Sequence, residues 1–211
     1  MSFDLLAPHY RWMEFVLAGG KLQRCRARHL PKISSANSIL LLGEGHGRFL
    51  PECLRRFPQA AVTCLDSSAG MLRQARARLN GDASLARIEW ICADALHWAP
   101  PPARFDLLAT NFFFDCFRPD QIRRLVEKIA PAAAPGAHWL VADFQTAERG
   151  LRRVRSRVIL WSMYLFFTTV TGLPARRLST PDEALAAAGF HLKSREEFEW
   201  GLLRSDWWQK A

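Results

Sequence analysis

The sequence lacks the cysteine spacing of a metal site or a disulfide framework. Its 211 residues include five cysteines: Cys25, Cys53, Cys64, Cys92 and Cys116. No two of them are spaced as Cys-x-x-Cys, and an odd number leaves at least one thiol unpaired. Cys64 and Cys92 lie inside strand-like apolar runs. We therefore expect buried thiols in a reducing compartment and no metal site.

The sequence also lacks an obvious membrane span or leader. Residues 158–173 are apolar for 16 residues, whereas a bilayer span needs about 20. This run contains Ser162 and three threonines, which favours a buried or interfacial helix. The first residues, Met-Ser-Phe-Asp, show no basic segment followed by an apolar one, so no signal peptide is expected. These features favour a cytoplasmic protein.

Acidic residues are few relative to basic ones. The chain has 20 Asp and Glu against 29 Lys and Arg, a net charge of +9. Such a balance suits nucleic acid, anionic lipid or an acidic small molecule, but arginines scattered along helical stretches also suit a solvated surface. With 49% hydrophobic and 23% charged residues, the chain is expected to fold as one globular domain.

Strand-like and helical segments alternate along most of the chain. Short apolar runs recur at spacings of about 23 to 33 residues, which is typical of βαβ units in a parallel, doubly wound sheet. Residues 2–30 are predicted to be helical, and the end of the chain is predicted to form a short helix and then a hairpin over 190–208. The five predicted strands are 38–42, 61–65, 88–92, 105–110 and 138–143.

A glycine-rich turn follows the first of these strands. Its sequence, Gly43-Glu44-Gly45-His46-Gly47, precedes a predicted helix. Glycines let a backbone approach a ligand closely, and the start of the helix offers unpaired N–H groups. The dinucleotide pattern GxGxxG fails, because Arg48 occupies the place of the third glycine.

Two aspartates follow the next two strands. Asp66 ends the second strand, and Asp94 comes directly after the third. Ligands bind at the carboxyl ends of strands in open α/β sheets, where an acidic side chain can accept hydrogen bonds from ribose hydroxyls. The alternative for either aspartate is a helix N-cap.

Taken together, these motifs resemble those of class I S-adenosylmethionine-dependent methyltransferases. The resemblance covers about residues 36–145 and includes Phe105-Asp-Leu-Leu and Pro135-Gly-Ala-His-Trp-Leu. It is strongest to bacterial small-molecule methyltransferases of the ubiquinone/menaquinone methylase type. It implies a Rossmann-like α/β fold of seven strands, mostly parallel with an antiparallel C-terminal strand, plus N-terminal helices and an inserted lid helix. The expected single domain, 1–211, divides into a helical cap (1–35), a cofactor-binding core (36–145), a lid-helix insertion (146–180) and an edge hairpin (181–211).

The resemblance also implies the cofactor and its contacts. S-adenosyl-L-methionine is the expected cofactor and S-adenosyl-L-homocysteine the product. In the family an acidic residue usually precedes the first glycine by two positions, where this chain has Leu41, so Glu44 is expected to take over part of its role. The implied cofactor-binding residues are Gly43, Glu44, Gly45, His46, Gly47, Asp66, Ser67, Met71, Asp94, Ala95 and Asn111.

Candidate acceptor residues lie in three places. Methyl transfer from a sulfonium needs a general base only where the acceptor is protonated, and Asp115, in the loop after the fourth strand, is the candidate base or orienting carboxylate. Its alternatives are a helix cap or a surface aspartate. His9 and Tyr10 on the N-terminal helix are tentative catalytic residues, or else packing residues. Residues 158–173 are expected to form a lid, or else a core helix, with candidate acceptor-lining residues Trp161, Met163, Tyr164, Phe166 and Phe167.

The predicted function is methyl transfer to oxygen or carbon of a small, lipophilic or aromatic acceptor. One alternative is an RNA or protein methyltransferase, suggested by the charge, although Thr110-Asn-Phe-Phe-Phe does not match the Asn/Asp-Pro-Pro-Tyr motif of base methylation. Another is a cofactor-binding protein without activity, associated with a membrane. The arginines before the apolar run make peripheral contact of 149–173 with an anionic membrane an open expectation. Monomer and homodimer both remain open, and nucleic acid is not favoured as a partner.

Overall fold

Seven strands form one sheet in the computed structural model, which describes residues 20–79, 81–171 and 178–211, with the backbone alone for 164–171. The strand order is β3-β2-β1-β4-β5-β7-β6. Strands β1 to β5 are parallel, and β7 is antiparallel to both of its neighbours. The predicted α/β sheet is confirmed. The strands are β1 Ser38–Leu42, β2 Ala61–Asp66, β3 Ile88–Cys92, β4 Phe105–Asn111, β5 Ala133–Phe144, β6 Phe190–Phe198 and β7 Leu203–Lys210.

The central strand β1 is buried on both faces. Successive side chains of a strand point to opposite sides of the sheet. Accordingly, Leu40 and Leu42 join one hydrophobic cluster, and Ile39 and Leu41 join another on the far side. Helices cover both faces of this strand, which explains why its sequence is a continuous apolar run.

Helices connect β1 to β2, β2 to β3 and β4 to β5, whereas residues 93–104 join β3 to β4 without a helix. Among them, α4 shows how such a helix is specified. Pro119 occupies its first turn, the Arg118 N–H donates to Gln121 Oε1, and one apolar stripe faces the sheet. Of the predicted N-terminal helices, residues 1–19 lie outside the described part of the chain. The described helices are α1 Lys21–Ala27, α2 Leu50–Arg56, α3 Ala69–Arg78, α4 Pro119–Ile129, α5 Gly150–Thr171 and α6 Asp182–Ala187.

Three details differ from the sequence-based expectations. The fifth strand begins five residues earlier than predicted, at Ala133, with Gly136 at φ +75° within it. Only β6 of the C-terminal hairpin lies at the edge, because β7 inserts between β5 and β6. The expectation that Cys92 is buried is wrong: Cys92 is exposed because β3 is the other edge strand of the sheet.

Helix α5 begins directly after β5 and is the longest described helix, with 22 residues. Its position between β5 and α6 agrees with the predicted insertion. Within the described residues, no helix is both long enough and apolar enough to cross a bilayer.

A buried ion network fixes the C-terminal hairpin. Asp206 of β7 is fully buried and receives two hydrogen bonds from the Arg195 guanidinium of β6, at 2.7 and 2.8 Å. Arg204, also buried, donates to Asp182 at 2.8 Å and lies 3.6 Å from Asp206. Asp182 begins α6, so the network joins that helix to the hairpin.

Asp206→Ala is expected to lower the free energy of unfolding by about 3 kcal/mol. Removing one partner of a buried ion pair leaves the remaining charge uncompensated, and here two guanidinium groups lose it. Urea unfolding of the variant and the parent chain measures the difference. Glu127→Gln, an exposed change on α4, is the control and should shift stability by less than about 0.5 kcal/mol. Equal stability of Asp206→Ala and the parent would contradict a structural role for this network.

Candidate active site

The site is built where the strand order reverses direction. After β1 the chain moves to β2 on one side, and β4 lies on the other, which leaves a crevice at the carboxyl ends of these strands. Gly43 ends β1 at this point with φ +66°. A Cβ on Gly43 would stand 2.3 Å from the Phe113 ring, so the turn after β1 and the loop after β4 are in direct contact.

The other two glycines of the turn have different reasons to be glycine. Gly47, at φ +77°, lies so close to α3 that a Cβ would stand 2.7 Å from Ala75 Cβ. Gly45, at φ +61°, would place a Cβ where no heavy atom lies within 4 Å. Gly47 therefore packs protein against protein, whereas Gly45 presents bare backbone to open space, as a ligand cradle requires.

Asp66 connects the first two turns of the site. Its Oδ2 accepts a hydrogen bond from the Gly45 N–H at 3.0 Å, and its Oδ1 accepts from the Ser68 N–H at 2.9 Å. Ser68 in turn caps α3, because its Oγ accepts from the Met71 N–H at 3.1 Å. Ser67 is exposed beside this carboxylate, and Met71 is buried. Asp66 thus holds the turn after β1 and the turn after β2 together.

Glu44 has a second task that the sequence did not suggest. Its Oε1 accepts from the N–H groups of Phe49 and Leu50, at 2.7 and 2.9 Å, and so caps the start of α2. Burial raises the pKa of Glu44 to about 7, partly offset by these hydrogen bonds and by the charge of Arg26. Leu41 is buried in the core. The acidic side chain of this turn is thus the one at Glu44, held rigidly by the following helix.

His46 is buried in the turn. Its Nε2 accepts a hydrogen bond from Arg48 Nε at 3.0 Å, and its carbonyl oxygen accepts from Arg78 Nε at 3.2 Å. The side chain therefore does not point to solvent. These hydrogen bonds hold His46 within the turn.

Asp94 lies at the edge of the site, in the turn after β3. Its Oδ1 accepts from the Leu96 N–H at 2.9 Å, and its Oδ2 lies 3.3 Å from His97 Nδ1. These contacts close a turn over residues 95–97 in which no helix begins, so the helix N-cap that the sequence left as an alternative is not formed, and half of the Asp94 side chain remains exposed. The Ala93 N–H donates to the Asp66 carbonyl oxygen at 3.1 Å, which holds this turn beside the second strand. Ala95 is buried in the core.

The far side of the crevice carries buried polar groups from β4 and β5. Asn111 ends β4 opposite Ala142, and Asp143 follows Ala142 in β5. Asn111 Oδ1 and Asp143 Oδ2 are both buried and accept no hydrogen bond from the described residues. Asp143 was missed by the sequence analysis, although it ends an apolar strand just as Asp66 does.

Asp115 and Asp143 form an electrostatically coupled carboxyl pair. Asp115 lies on a 3-10 turn, Phe114–Cys116, where burial raises its pKa to about 6 and Cys116 Sγ donates to it at 3.5 Å. Burial and the charge of Asp115 raise the pKa of Asp143 well above its usual range, partly offset by Arg204. Two buried carboxyls that raise each other's pKa resist double ionisation, so near neutral pH the pair retains a proton.

The predicted acceptor-lining residues are only partly placed at the site. One side of α5 packs against Phe112, Ala142 and Leu203, and Met163 belongs to that side. Trp161 is 67% exposed on the opposite side of the helix, so its expected place in the acceptor pocket is wrong. Phe114 is buried in the core. The remaining predictions, namely His9, Tyr10 and the side chains of Tyr164, Phe166 and Phe167, lie outside the described residues.

The described residues of this crevice do not form a metal centre. Over the described ranges, 20–79, 81–171 and 178–211, no three His, Cys, Asp or Glu side chains are grouped as ligands. The arrangement that is present, a bare turn flanked by carboxylates on one side and a protonatable pair on the other, suits binding of a polar small molecule and proton transfer.

Comparison with known proteins identifies the central region. Residues 39–136 match the family model described as a methyltransferase domain. A trans-aconitate 2-methyltransferase from Rhodopseudomonas palustris is 38% identical over 96 residues, which are 46% of this chain and 34% of that protein. The chain spans about a third of the length of the curated relatives that it matches.

Solved structures extend the likeness to the whole fold. A mitomycin 7-O-methyltransferase superposes over 100% of this chain and 61% of its own, with TM-score 0.71 and 20% identity. A phosphoethanolamine N-methyltransferase 2 from Haemonchus contortus, solved with S-adenosylhomocysteine, covers 92% of this chain and 43% of its own, with TM-score 0.66 and 19% identity. At this identity, the likeness establishes the fold.

The half-buried Glu44 predicts a characteristic dependence of stability on pH. Its folded-state pKa of about 7 exceeds the ordinary 4.5, so the folded protein holds the proton more tightly than the unfolded chain. Its contribution is therefore fully present below about pH 4.5 and is lost as pH rises toward 7, by at most about 3 kcal/mol. Glu44→Gln keeps an oxygen for the Phe49 and Leu50 N–H groups and should remove this part of the pH dependence.

Urea unfolding of both proteins at several pH values between 4.5 and 7 measures the effect. Asp115 contributes in the same direction in both proteins, so the difference between them isolates Glu44. Glu52→Gln, on α2, is the matched control and should retain the slope of the parent. Parallel curves for Glu44→Gln and the parent would show that Glu44 is not protonated by folding.

Proposed function

We propose that the chain is a class I, S-adenosylmethionine-dependent methyltransferase that methylates a hydroxyl oxygen of a small, largely apolar acceptor. The observation that carries the proposal is the Asp66 carboxylate, which lies at the end of β2 and is fixed against the Gly45 N–H across the crevice. In this proposal residues 36–145 are the cofactor-binding core, and residues 146–180, of which 172–177 lie outside the described part of the chain, are the insertion on the acceptor side.

The residues present fit S-adenosylmethionine. When bound, this cofactor supplies a methyl group on a positively charged sulfur that is already activated for in-line displacement. The open space at Gly45 is the place where a side chain would obstruct it. The buried Asn111 Oδ1, which accepts no hydrogen bond from the described residues, is an acceptor suited to a cofactor N–H group.

The chain's own carboxylates divide the binding task between them. Asp66 is oriented by two backbone N–H groups at the end of β2, where its carboxylate is proposed to accept from ribose hydroxyls. Asp94, half exposed at the end of the neighbouring strand, lies at the adenine side, where the backbone of Ala95 assists. Glu44 Oε1 accepts from the first N–H groups of α2. The Glu44 carboxyl, anionic or protonated, is proposed to bind the amino-acid part of the cofactor.

Asp115 is proposed to accept the proton of the acceptor hydroxyl. A base with a pKa near 6 is ionised at neutral pH and is more basic than an ordinary carboxylate, as general base catalysis requires. Asp143 is the second carboxyl of the pair, and burial and the charge of Asp115 raise its pKa. Phe112 and Phe113 reduce the access of water. A hydroxyl acceptor has a proton to lose in the transfer. A buried pair of protein carboxyls that retains one proton therefore suits a hydroxyl acceptor better than it suits a carboxylate acceptor.

A second candidate is methyl transfer to a carboxylate. Trans-aconitate, the compound in the names of the matched relatives, offers only carboxyl oxygens as nucleophiles. Arg26, buried with its guanidinium 4.9 Å from the Phe112 ring centroid, is a cation on the acceptor side that would favour such a substrate. The two candidates differ in one respect: a carboxylate acceptor is already deprotonated and gains nothing from Asp115.

Asp66→Asn is expected to weaken binding of S-adenosylhomocysteine by about 30-fold or more. The amide loses a charge-assisted acceptor, and its NH₂ group cannot accept from the Gly45 N–H, so both the ribose contact and the shape of the turn suffer. Isothermal titration calorimetry measures the affinity. Asp94→Asn is the matched change at a more exposed carboxylate and should weaken binding less. Equal affinities of Asp66→Asn and the parent would remove Asp66 from the cofactor site.

Asp115→Asn is expected to lower kcat for a phenolic acceptor by about 100-fold and to leave the affinity for S-adenosylhomocysteine within about twofold. Transfer of a radiolabelled methyl group to a panel of phenols, quinone precursors and trans-aconitate measures turnover. Asp120→Asn, at the exposed start of α4, is the control and should retain full activity. An Asp115→Asn variant with undiminished kcat on every hydroxyl acceptor, or methyl uptake by trans-aconitate alone, would contradict the hydroxyl proposal.

A further inference from the structure

Helix α5 has two apolar faces, and only one of them is covered by protein. Its inner face packs against the sheet and hairpin through Ser156, Leu160 and the half-buried Ile159 and Met163. Its outer face carries a second apolar set at intervals of three and four residues, which places the members on one side of a helix. The members and their exposed fractions are Leu151 (88%), Val154 (59%), Val158 (60%) and Trp161 (67%). We call this set the outer stripe.

The outer stripe is too regular and too apolar to be ordinary surface. Single exposed apolar residues are common, but an aligned set that includes a tryptophan indicates an interaction surface. The hairpin turn adds another exposed aromatic residue nearby. Trp200, 66% exposed, stacks under the Arg155 guanidinium at 5.1 Å, and Arg155 also donates to the Glu199 carbonyl oxygen at 3.2 Å.

The charges on α5 itself are all of one sign, although Glu148 precedes the helix and Glu199 lies beside Trp200 in the hairpin turn. Residues 149–171 contain five arginines and no aspartate or glutamate. Arg153 and Arg157, one turn apart and both exposed, flank the stripe on one side, and Arg155 flanks it on the other. Arginines beside exposed tryptophans and aliphatic side chains are the pattern of a helix that lies in the interface of an anionic membrane.

We propose that α5 and the Trp200 turn dock the protein on an anionic lipid bilayer. The occupant is a lipid surface rather than a second copy of the chain. Two copies of this face would bring their arginines together with no acidic residue on α5 to offset them, whereas anionic headgroups complement them.

The docking surface stands directly behind the acceptor side of the site. The inner face of α5 shares a cluster with Phe112 and Cys116, which border Asp115. A bilayer held against the outer stripe would therefore lie one helix thickness from the acceptor side of the crevice, within reach of an acceptor dissolved in lipid. The docking itself does not depend on methyl transfer and is testable without any activity.

Vesicle binding tests the proposal. The full chain is mixed with vesicles of phosphatidylcholine alone or with 30% phosphatidylglycerol, and the bound fraction is measured by sedimentation. Binding to the anionic vesicles should exceed binding to the neutral ones by at least tenfold at low salt and should weaken as salt is raised. Arg153→Gln/Arg157→Gln should lower the partition coefficient roughly 30-fold, and Leu151→Ser/Trp161→Ser at least tenfold.

Arg123→Gln/Arg124→Gln is the matched control. It removes the same charge from exposed positions on α4 and should change binding by less than about threefold. Equal losses in the two double-arginine variants, or equal binding to neutral and anionic vesicles, would overturn the proposal.

Light scattering after size exclusion tests whether a second copy of the chain covers this face instead. A lipid-free dimer that Leu151→Ser/Trp161→Ser converts to a monomer, without vesicle binding by the parent, would show that a second copy covers this face instead.

Discussion

The whole site depends on one carboxylate holding two backbone turns together. Asp66 receives the Gly45 N–H on one oxygen and the Ser68 N–H on the other, so the turn after β1 and the turn after β2 keep a fixed separation. Because Ser68 also caps α3, the same carboxylate is connected to the helix that packs against Gly47. The crevice is thereby formed before any ligand arrives, and its polar edges are presented by rigid strands. Preorganisation of this kind reduces the entropy that binding must overcome.

Much of this arrangement is readable from the sequence. The continuous apolar run of β1 predicts a strand buried on both faces, and the aspartates that follow the second and third apolar runs predict polar groups at one edge of the sheet. The alternation of strands and helices gives the fold class, because few architectures accommodate it. Local signals suffice for these features, since each depends on residues that are close together in the chain.

Other features depend on how a side chain is oriented or on contacts between distant segments. Glu44 was expected to face the cofactor, and nothing local showed that it also caps α2. Asp143 became a candidate only when β5 was placed beside β4 and its carboxyl came near Asp115. The orientation of Trp161 could not be read from the apolar run, because a run that is apolar all round does not indicate which face the protein covers. The exposure of Cys92 depended on β3 being an edge strand.

The most direct test is a crystal structure of the chain with S-adenosylhomocysteine. The account predicts ribose hydroxyls within hydrogen-bond distance of the Asp66 carboxylate, backbone of Gly45 against the ligand, and the ligand sulfur facing the side of the crevice that carries Asn111 and Asp115. Crystals soaked at saturating concentration with the ligand bound elsewhere, or with Asp66 turned away from it, would contradict the central claim.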